Sequence, residues 1–300
     1  MTAPAADPLL ELACAGRTVA RYRSGTGLPH RLAPRPYLHP VTTLGGVTVT
    51  EERPEDHLHH LGVSVTVADV AGYSFWGGRT FVRDRGPVEL DNHGTQRHTG
   101  WLRHGPDHFT QELAWEAGGT ELLRERRTVA AVALPATPLS PAAWALDVEC
   151  ALSGAADVPV RIGSPATNGR PGAAYGGFFW RAPKEAAPPR VFTADAEGED
   201  AVHGTRAGWL ALAGDGWTLV FAAADAATRA DPWFVRAAEY PGVGSSLASA
   251  RPLTVPPREA VVRRIVTVVA DGRLDREAAA ALAGAATGAR RPTEPPADGT

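Results

Sequence analysis

The feature that most limits the fold of this 300-residue chain is an alternation of apolar and polar residues with a period of two. Between residues 144 and 150, Trp, Leu, Val and Cys occupy every second position, and Asp147 and Glu149 fall between them. Phe109, Leu113 and Trp115 share a face in the same way. Because side chains alternate across a strand, these segments predict β-strands that each bury one face.

Other segments have the same strand-like composition, and clusters of Gly, Pro and Asp separate them at short intervals, which is typical of sandwiches and barrels. They are residues 8–14, 17–23, 61–69, 97–103, 121–134, 206–213, 217–223 and 259–269. The chain contains 32 Gly and 26 Pro, enough for many turns. Only residues 274–286 (LDREAAAALAGAA) predict a helix. We therefore predict an all-β fold, a large antiparallel β-sandwich with one short C-terminal helix.

The order of these segments also bears on domain organisation. Strands and helices do not alternate along the chain, and no G-x-G-x-x-G follows a strand. This pattern disfavours a parallel nucleotide-binding sheet, so we expect no nucleotide cofactor. No linker divides the body, and we predict one domain over residues 1–286. Residues 183–200 predict an exposed loop, and residues 287–300 predict a disordered tail.

Composition excludes several classes of partner. A formal net charge of −3 gives no general reason to bind nucleic acid or an anionic membrane. Lys184 is the only lysine, which leaves almost no candidate for a Schiff base or a P-loop, and two cysteines cannot form a four-cysteine zinc site. The sequence shows no signal peptide and no stretch near the ~20 apolar residues that span a bilayer. We therefore expect a soluble, cytoplasmic protein.

The segment Arg53–His60 (RPEDHLHH) is the richest in side chains that carry chemistry. In an extended backbone, His57 and His59 would point to one face and His60 to the other. Imidazole titrates near neutral pH, so such a pair suits acid/base catalysis. The same pair can bind a divalent metal, although the spacing fixes no third ligand. The alternative interpretation is a polar surface loop or half-buried histidines held by hydrogen bonds.

Two further polar groups precede predicted strands or lie in stiff segments. Arg97 and His98 open a strand after the turn residues of DNHGTQRH, and an arginine fork suits a polyol or carboxylate. The alternative is a solvated hairpin end. Arg35, His39 and Arg53 lie in RPYLHP and EERP, where proline on both sides would hold His39 in place as a ligand-binding residue.

Aromatic residues cluster beside glycine or proline in three places, which are YSFWGG with Trp76, YGGFFWR with Tyr175 and Trp180, and DPWFVR with Arg236. Aromatic faces at a close backbone approach suit stacking on sugar rings, whereas the alternative is core packing. Glu239 follows the third cluster. It would act as a general base if the fold brings it to the histidines, and otherwise it is an exposed turn residue.

Together these motifs resemble a bacterial family. RPYLHPVTTLGG, RPEDHLHHLG, VAGYSFWGG, GTQRHTG and DPWFVRAAEYPG are similar to the family labelled "methane oxygenase PmoA" or "PmoA family protein". The resemblance extends from about residue 30 to 272; Leu58 stands where that family usually has Pro, and Leu61 where it often has Arg or Gly. It implies a β-sandwich similar to galactose mutarotases, in which histidines and a carboxylate act on sugars. The oxygenase label would imply metal chemistry, but the membrane subunit of that name spans a bilayer, and this sequence predicts no such segment.

We therefore expect a carbohydrate-active protein that acts on a sugar or a sugar-derived small molecule by histidine and carboxylate acid–base chemistry. The candidate catalytic residues are His57, His59, His60, His98 and Glu239. The candidate substrate-binding residues are Arg35, His39, Arg53, Trp76, Arg97, Tyr175, Trp180 and Arg236. Two alternatives stay open: a non-catalytic sugar-binding module, and a metal-dependent oxygenase or hydrolase in which His57 and His59 bind a divalent metal.

Overall fold

The computed structural model describes residues 10–135, 143–289 and 291, and these residues form twenty β-strands and three α-helices. The strands are β1 (Glu11–Cys14), β2 (Arg17–Arg23), β3 (Tyr37–Val41), β4 (Val63–Val67), β5 (Asp69–Val70), β6 (Thr80–Val82), β7 (Gly86–Val88), β8 (Thr95–His104), β9 (His108–Ala117), β10 (Thr120–Leu134), β11 (Ala143–Gly154), β12 (Val160–Gly163), β13 (Gly176–Arg181), β14 (Arg190–Phe192), β15 (Trp209–Ala213), β16 (Trp217–Ala223), β17 (Trp233–Arg236), β18 (Gly242–Ser245), β19 (Leu253–Val255) and β20 (Val261–Asp271). The helices are α1 (Glu199–Val202), α2 (Ala226–Arg229) and α3 (Arg276–Gly288), and a 3₁₀ turn covers His30–Leu32.

Two large sheets, in which every strand pair is antiparallel, form the body. One has seven strands in the order β1-β2-β3-β4-β13-β18-β17, and the other has eight in the order β14-β15-β16-β20-β11-β10-β9-β8. Strands β19, β12 and β5 form a small third sheet, and β6 and β7 form a separate hairpin. The predicted all-β sandwich is therefore confirmed.

The alternation seen in the sequence decides which side chains enter the core. On β11, Trp144, Leu146 and Val148 belong to the apolar cluster shared by both large sheets, while Asp147 faces the opposite side and pairs with arginines. Each predicted strand segment overlaps a strand of the structure; residues 8 and 9 of the first lie outside the described residues. Ten strands were not predicted, namely β3, β5, β6, β7, β12, β13, β14, β17, β18 and β19. The period of two therefore predicted seven strands of the eight-stranded sheet, but only β1, β2 and β4 of the seven-stranded sheet.

One prediction about the chain's irregular parts is wrong, and the predicted tail lies mostly outside the described residues. The segment 183–200, expected to be an exposed loop, contains β14, and Phe192 of that strand is fully buried in the apolar cluster beneath α3. Helix α3 continues to Gly288, two residues beyond its predicted end. Arg291 donates hydrogen bonds to Asp147, so the predicted tail is bound to the sheet at this position. The remaining tail residues, 290 and 292–300, lie outside the described part.

The two outer faces of the sandwich are covered differently. Helix α3 packs its buried residues, including Ala279 and Leu282, on the outer face of the eight-stranded sheet. No described helix is long and apolar enough to cross a membrane. On β13, Phe178 and Trp180 enter the core between the sheets, and Phe179 therefore points to the outer face of the seven-stranded sheet. Loops rather than a helix cover that face.

Candidate functional site

The three histidines of the RPEDHLHH segment lie on two consecutive turns and not on a strand. The backbone N–H of His57 donates to the carbonyl of Pro54 at 3.0 Å, and that of His60 donates to the carbonyl of His57 at 2.8 Å. The prediction that His57 and His59 face away from His60 is therefore wrong. The ring of His57 stacks on that of His60 with centroids 4.5 Å apart, and the ring of His59 lies 4.8 Å from that of His60. The turns bring all three rings into one cluster.

Arg181, at the end of β13, connects this cluster to two carboxylates. Its side chain is fully buried, and it donates to Glu51 at 2.9 Å and to Asp56 at 3.3 Å. Its Nη1 lies 3.4 Å from Nδ1 of His60, and its guanidinium covers the ring of Tyr240 at 4.9 Å. Because a guanidinium only donates, Nδ1 of His60 is the acceptor and the proton of this neutral ring is on Nε2. Arg181 thus fixes the tautomer of His60.

Burial and neighbouring charges give the histidines and the aspartate of the cluster different protonation states. Burial lowers the pKa of His59 to about 3 and that of His60 well below its ordinary value, and the positive charges of Arg35 and Arg181 add to the effect. For Asp56, burial raises the pKa, but Arg181 and His57 outweigh it and lower the pKa overall. At neutral pH the two buried rings are therefore neutral, and Asp56 is ionised.

His57 is the ring of the cluster that combines solvent access with a carboxylate neighbour. A quarter of its side chain is exposed, and its Nδ1 lies 3.5 Å from Oδ2 of Asp56. That Nδ1 is buried and has no hydrogen-bond partner among the described residues. The ring also contacts the ring of Tyr240, with centroids 4.6 Å apart. A buried polar atom without a partner marks a position that a ligand or water is expected to satisfy.

Aromatic side chains form a wall beside the histidines. The ring of Trp76 lies 4.5 Å from that of Tyr175 and 4.8 Å from that of Phe179. The hydroxyls of Tyr175 and Tyr240 make no hydrogen bond to any described residue. Next to Trp76, a Cβ on Gly78 would lie 2.9 Å from Nδ1 of His59, so glycine is needed for this close approach. Trp76, Phe179 and Tyr240 are at most 7% exposed, whereas Tyr175 is half-buried, so Tyr175 is the most exposed ring of this wall.

Arg35 is a positioning residue of this site. It is 1% exposed, and it donates to the backbone carbonyls of His59 at 2.8 Å, Ala33 at 3.0 Å and Trp76 at 3.3 Å. Burial lowers the pKa of Arg35 to about 9, which leaves the guanidinium charged at neutral pH. Because its donors are used within the protein, the prediction that Arg35 binds substrate oxygens is not supported. It ties the histidine turns to the Trp76 loop.

Three other predicted residues lie around the same outer face. His39 contacts the hydroxyl of Thr50 at 3.0 Å and lies 3.8 Å from Glu52, and burial lowers its pKa. Arg53 is half-exposed and lies 3.6 Å from Glu52. Arg236 covers the ring of Phe234 at 4.7 Å, and that ring in turn contacts Tyr175. These residues form the rim of the site and do not touch the three histidine rings.

Trp180, Arg97 and His98 lie elsewhere, which corrects three predictions. Trp180 is fully buried in the core between the sheets, because it alternates with Phe179 along β13. Arg97 and His98 lie on β8 in the other sheet. Arg97 pairs with Glu116 at 2.6 Å, and His98 contacts Gln111 at 3.0 Å.

Glu239 is exposed and lies next to Tyr240 in sequence. Its carboxylate makes no hydrogen bond or ion pair with any described residue. Glu239 therefore flanks the site as an unpaired carboxylate.

Sequence reasoning missed the two residues that organise the site, Arg181 and Tyr240. Both stand inside motifs that it quoted, YGGFFWR and EYPG. The available signal was the alternation within YGGFFWR, which places Arg181 on the same face as Phe179 and opposite Trp180. The pattern did not show which of these two faces enters the core.

The side chains of the site also bear on the metal-binding alternative. Among the described residues, no three His, Cys, Asp or Glu side chains are arranged to hold one. The guanidinium groups of Arg35 and Arg181 act on the rings of His59 and His60 and would repel a cation at the same place. The residues present therefore do not fit a divalent metal at His57 and His59.

Fold and site together define an all-β sandwich protein with a histidine, arginine and aromatic cluster on one outer face. Residues 9–284 match a family described as a family of unknown function, DUF6807. The match covers most of the chain, which therefore belongs to this family. No curated protein matches the chain.

Proposed function

We propose that this chain is a carbohydrate-active enzyme that acts on a sugar or a sugar-derived small molecule at the His57 site. The observation that carries the proposal is His57 itself, a half-buried ring between Asp56 and Tyr240 whose Nδ1 has no hydrogen-bond partner among the described residues. Beside it, the half-buried ring of Tyr175, which packs on Trp76, offers a face for stacking on a sugar ring. The resemblance to the PmoA-labelled family, and through it to galactose mutarotases, supports a sugar as the substrate.

The reaction that these groups supply without a cofactor is the interconversion of the anomers of an aldose. An acid protonates the ring oxygen while a base removes the proton of the anomeric hydroxyl. The bond between C1 and the ring oxygen breaks, its electron pair stays on that oxygen, and C1 becomes the aldehyde carbon. Rotation about the C1–C2 bond followed by the reverse steps gives the other anomer. Both protons return to the enzyme groups that exchanged them, so the balance needs no oxidant or reductant.

In this reaction we assign His57 the role of acid, because its ring is partly exposed and its Nδ1 lies 3.5 Å from the carboxylate of Asp56. Asp56 is a weak base, since Arg181 lowers its pKa. Glu239 is exposed and free of ion pairs in the described chain, and we assign it the role of base. His59 and His60 stay neutral. His59 is partly exposed and would hydrogen-bond to a sugar hydroxyl, whereas His60 is 1% exposed and supports the cluster from below.

The chain offers a matched control for His57. His108 also follows an aspartate, Asp107, with its Nδ1 2.8 Å from that carboxylate, and 30% of its side chain is exposed. It lies on β9 in the other sheet. Each of the variants His57→Asn and His108→Asn therefore removes an imidazole that lies beside the preceding aspartate, one at the proposed site and one on β9.

The test measures the rate at which the α and β anomers of D-glucose, D-galactose and D-xylose interconvert, followed by NMR of their anomeric protons. We expect the wild type to accelerate exchange for at least one sugar, His57→Asn and Glu239→Gln each to lower the enzymatic rate about 100-fold, and His108→Asn to leave it unchanged. Undiminished exchange by His57→Asn contradicts the proposal. Saturable binding without acceleration by the wild type also contradicts it and favours the non-catalytic binding module.

A further inference from the structure

A small cavity lies between the two large sheets, with most of its walls from β2, β3 and β4 on one side and β9, β10 and β11 on the other. Every residue that lines it is buried. Its volume is about 20 Å³. A water molecule needs about 10–15 Å³ of such space, so the cavity has room for one water.

Gln111 on β9 lines this cavity, and the hydrogen bonds of its side chain are incomplete. It is fully buried, and its Oε1 accepts a hydrogen bond from the hydroxyl of Tyr22 at 2.8 Å. Nδ1 of His98 lies 3.0 Å from the same oxygen and donates to it, because a carbonyl oxygen only accepts. Nε2 of Gln111 is buried and has no hydrogen-bond partner among the described residues. The donor half of this amide therefore calls for a further molecule.

Gln96 on β8 shows how the same core satisfies a buried glutamine with protein groups alone. It is 2% exposed, its Nε2 donates to the carbonyl of Val65 at 2.8 Å, and its Oε1 accepts from Arg127 at 2.9 Å. Gln96 and Gln111 are the only glutamines in the sequence. A buried N–H group without an acceptor is costly, and such groups are usually bonded to protein or to an ordered water. Gln111 thus differs from Gln96 in needing a partner that the described residues do not provide.

The chemistry of the walls selects the kind of molecule that fits. Arg127 also lines the cavity, and it is paired with Glu125 at 2.7 Å. Because an amide nitrogen and a guanidinium are both donors, they do not suit a metal cation. The molecule must accept from Nε2 of Gln111, and it can donate to the oxygen of Tyr22, whose own proton is on the bond to Gln111. Water is a molecule of this size that does both.

We propose that this cavity is a binding site for one internal water, which accepts a hydrogen bond from Nε2 of Gln111 and donates one to the oxygen of Tyr22. The water completes a polar chain that runs from His98 on β8 through Gln111 to Tyr22 on β2, and it thereby connects the two sheets. Of the described residues that line the cavity, none belongs to the three-histidine cluster or to its aromatic wall. The inference is therefore independent of the proposed function.

The first arm of the test is a high-resolution crystal structure of the full chain, in which Gln96 is the matched control for Gln111. We expect an ordered water about 2.7–3.2 Å from Nε2 of Gln111. We expect none at Nε2 of Gln96, which keeps the carbonyl of Val65 as its acceptor. A cavity without this water overturns the inference, as does an amide of Gln111 that turns its oxygen towards the cavity.

The second arm counts long-lived internal waters in solution by ¹⁷O relaxation dispersion. Gln111→Met removes the unpartnered donor at a similar side-chain length, and Gln96→Met removes the other buried amide. We expect Gln111→Met to lose one long-lived water relative to the wild type and Gln96→Met to lose none. Equal counts in Gln111→Met and the wild type overturn the inference, as does an equal loss in both variants. The crystal structure of the wild type decides the question if either variant fails to fold.

Discussion

The two outer faces of the sandwich each contain a buried charge with two partners, but with opposite signs. Under the end of α3, the carboxylate of Asp147 is 3% exposed and pairs with Arg264 and Arg291. On the seven-stranded sheet, the guanidinium of Arg181 is fully buried and pairs with Glu51 and Asp56. The difference lies in what surrounds each charge.

Around Asp147, the cover is the apolar side of α3, and the pairing continues through Arg291 to a second carboxylate, Glu149, at 3.1 Å. Around Arg181, the pairing continues to His60 and Tyr240, and Asp56 continues it to the partly exposed ring of His57. The outer face of the eight-stranded sheet under α3, the helical face, therefore stabilises the fold. The outer face of the seven-stranded sheet around Arg181 and His57, the loop face, holds titratable groups at fixed positions within reach of solvent. We therefore place the functional site on the loop face.

We expect the largest loss of stability, measured as the free energy of unfolding, from Arg181→Met. This change leaves Glu51 and Asp56 beside an apolar side chain, and breaking a buried charge network of this kind lowers the free energy of unfolding by about 3–5 kcal/mol. Arg264→Met leaves Arg291 on Asp147, so we expect a loss of about half that size. Urea unfolding of both variants measures the difference. Equal stability of the two variants would contradict the view that Arg181 organises its face.

A slightly smaller effect is expected from Leu282→Ala in α3. Leu282 is 3% exposed in the apolar cluster beneath the helix, and truncation of such a side chain lowers the free energy of unfolding by about 3 kcal/mol. Because α3 lies on the opposite outer face from His57, anomer exchange at a temperature where the variant is folded should equal that of the wild type. Loss of exchange in the folded variant would break the division between the two faces.

The pH dependence of stability is expected to come from the loop face. His59 and His60 have pKa values below their unfolded value of about 6.5, so the unfolded chain takes up protons first as the pH falls. Their contribution is complete above pH ~6.5 and is lost below it, at about 1.4 kcal/mol per pH unit for each ring.

The variant His59→Gln tests this origin. Between pH 6.5 and 5.5, its free energy of unfolding should fall less steeply than that of the wild type by about one proton's contribution. Leu282→Ala, although destabilised, should keep the wild-type slope. An unchanged slope in His59→Gln would show that the ring is already protonated in the native state.

The smallest effect is expected from Arg97→Gln on β8. More than half of the side chain is exposed, and its ion pair with Glu116 is screened by solvent, so the free energy of unfolding should change by less than about 0.5 kcal/mol. Chemical unfolding measures it. A loss comparable to that of Arg181→Met would mean that exposure does not distinguish these arginines.

A feature of this molecule can be predicted from the sequence when it depends on residues that are close together along the chain. The strand faces follow from a local period of two, and β10 was placed within one residue of its observed start. His57, His59 and His60 were singled out by composition, but their convergence depends on hydrogen bonds within two turns that an alternation rule does not contain. The role of Arg181 depends on Glu51, 130 residues away in sequence, and no local pattern links the two.

The most direct test of the central claim follows the histidine ring signals of the protein by NMR during titration with D-glucose, D-galactose, D-xylose, D-glucuronate and D-glucose 6-phosphate. Variants His57→Asn and His108→Asn assign the two signals, which come from two Asp-His pairs, one on the turns of the site and one on β9. The account predicts that at least one of these sugars shifts the His57 signal and leaves the His108 signal in place. Shifts at His108 without shifts at His57, or no shift at His57 with any of the five, would contradict the claim that the loop-covered face is the sugar site.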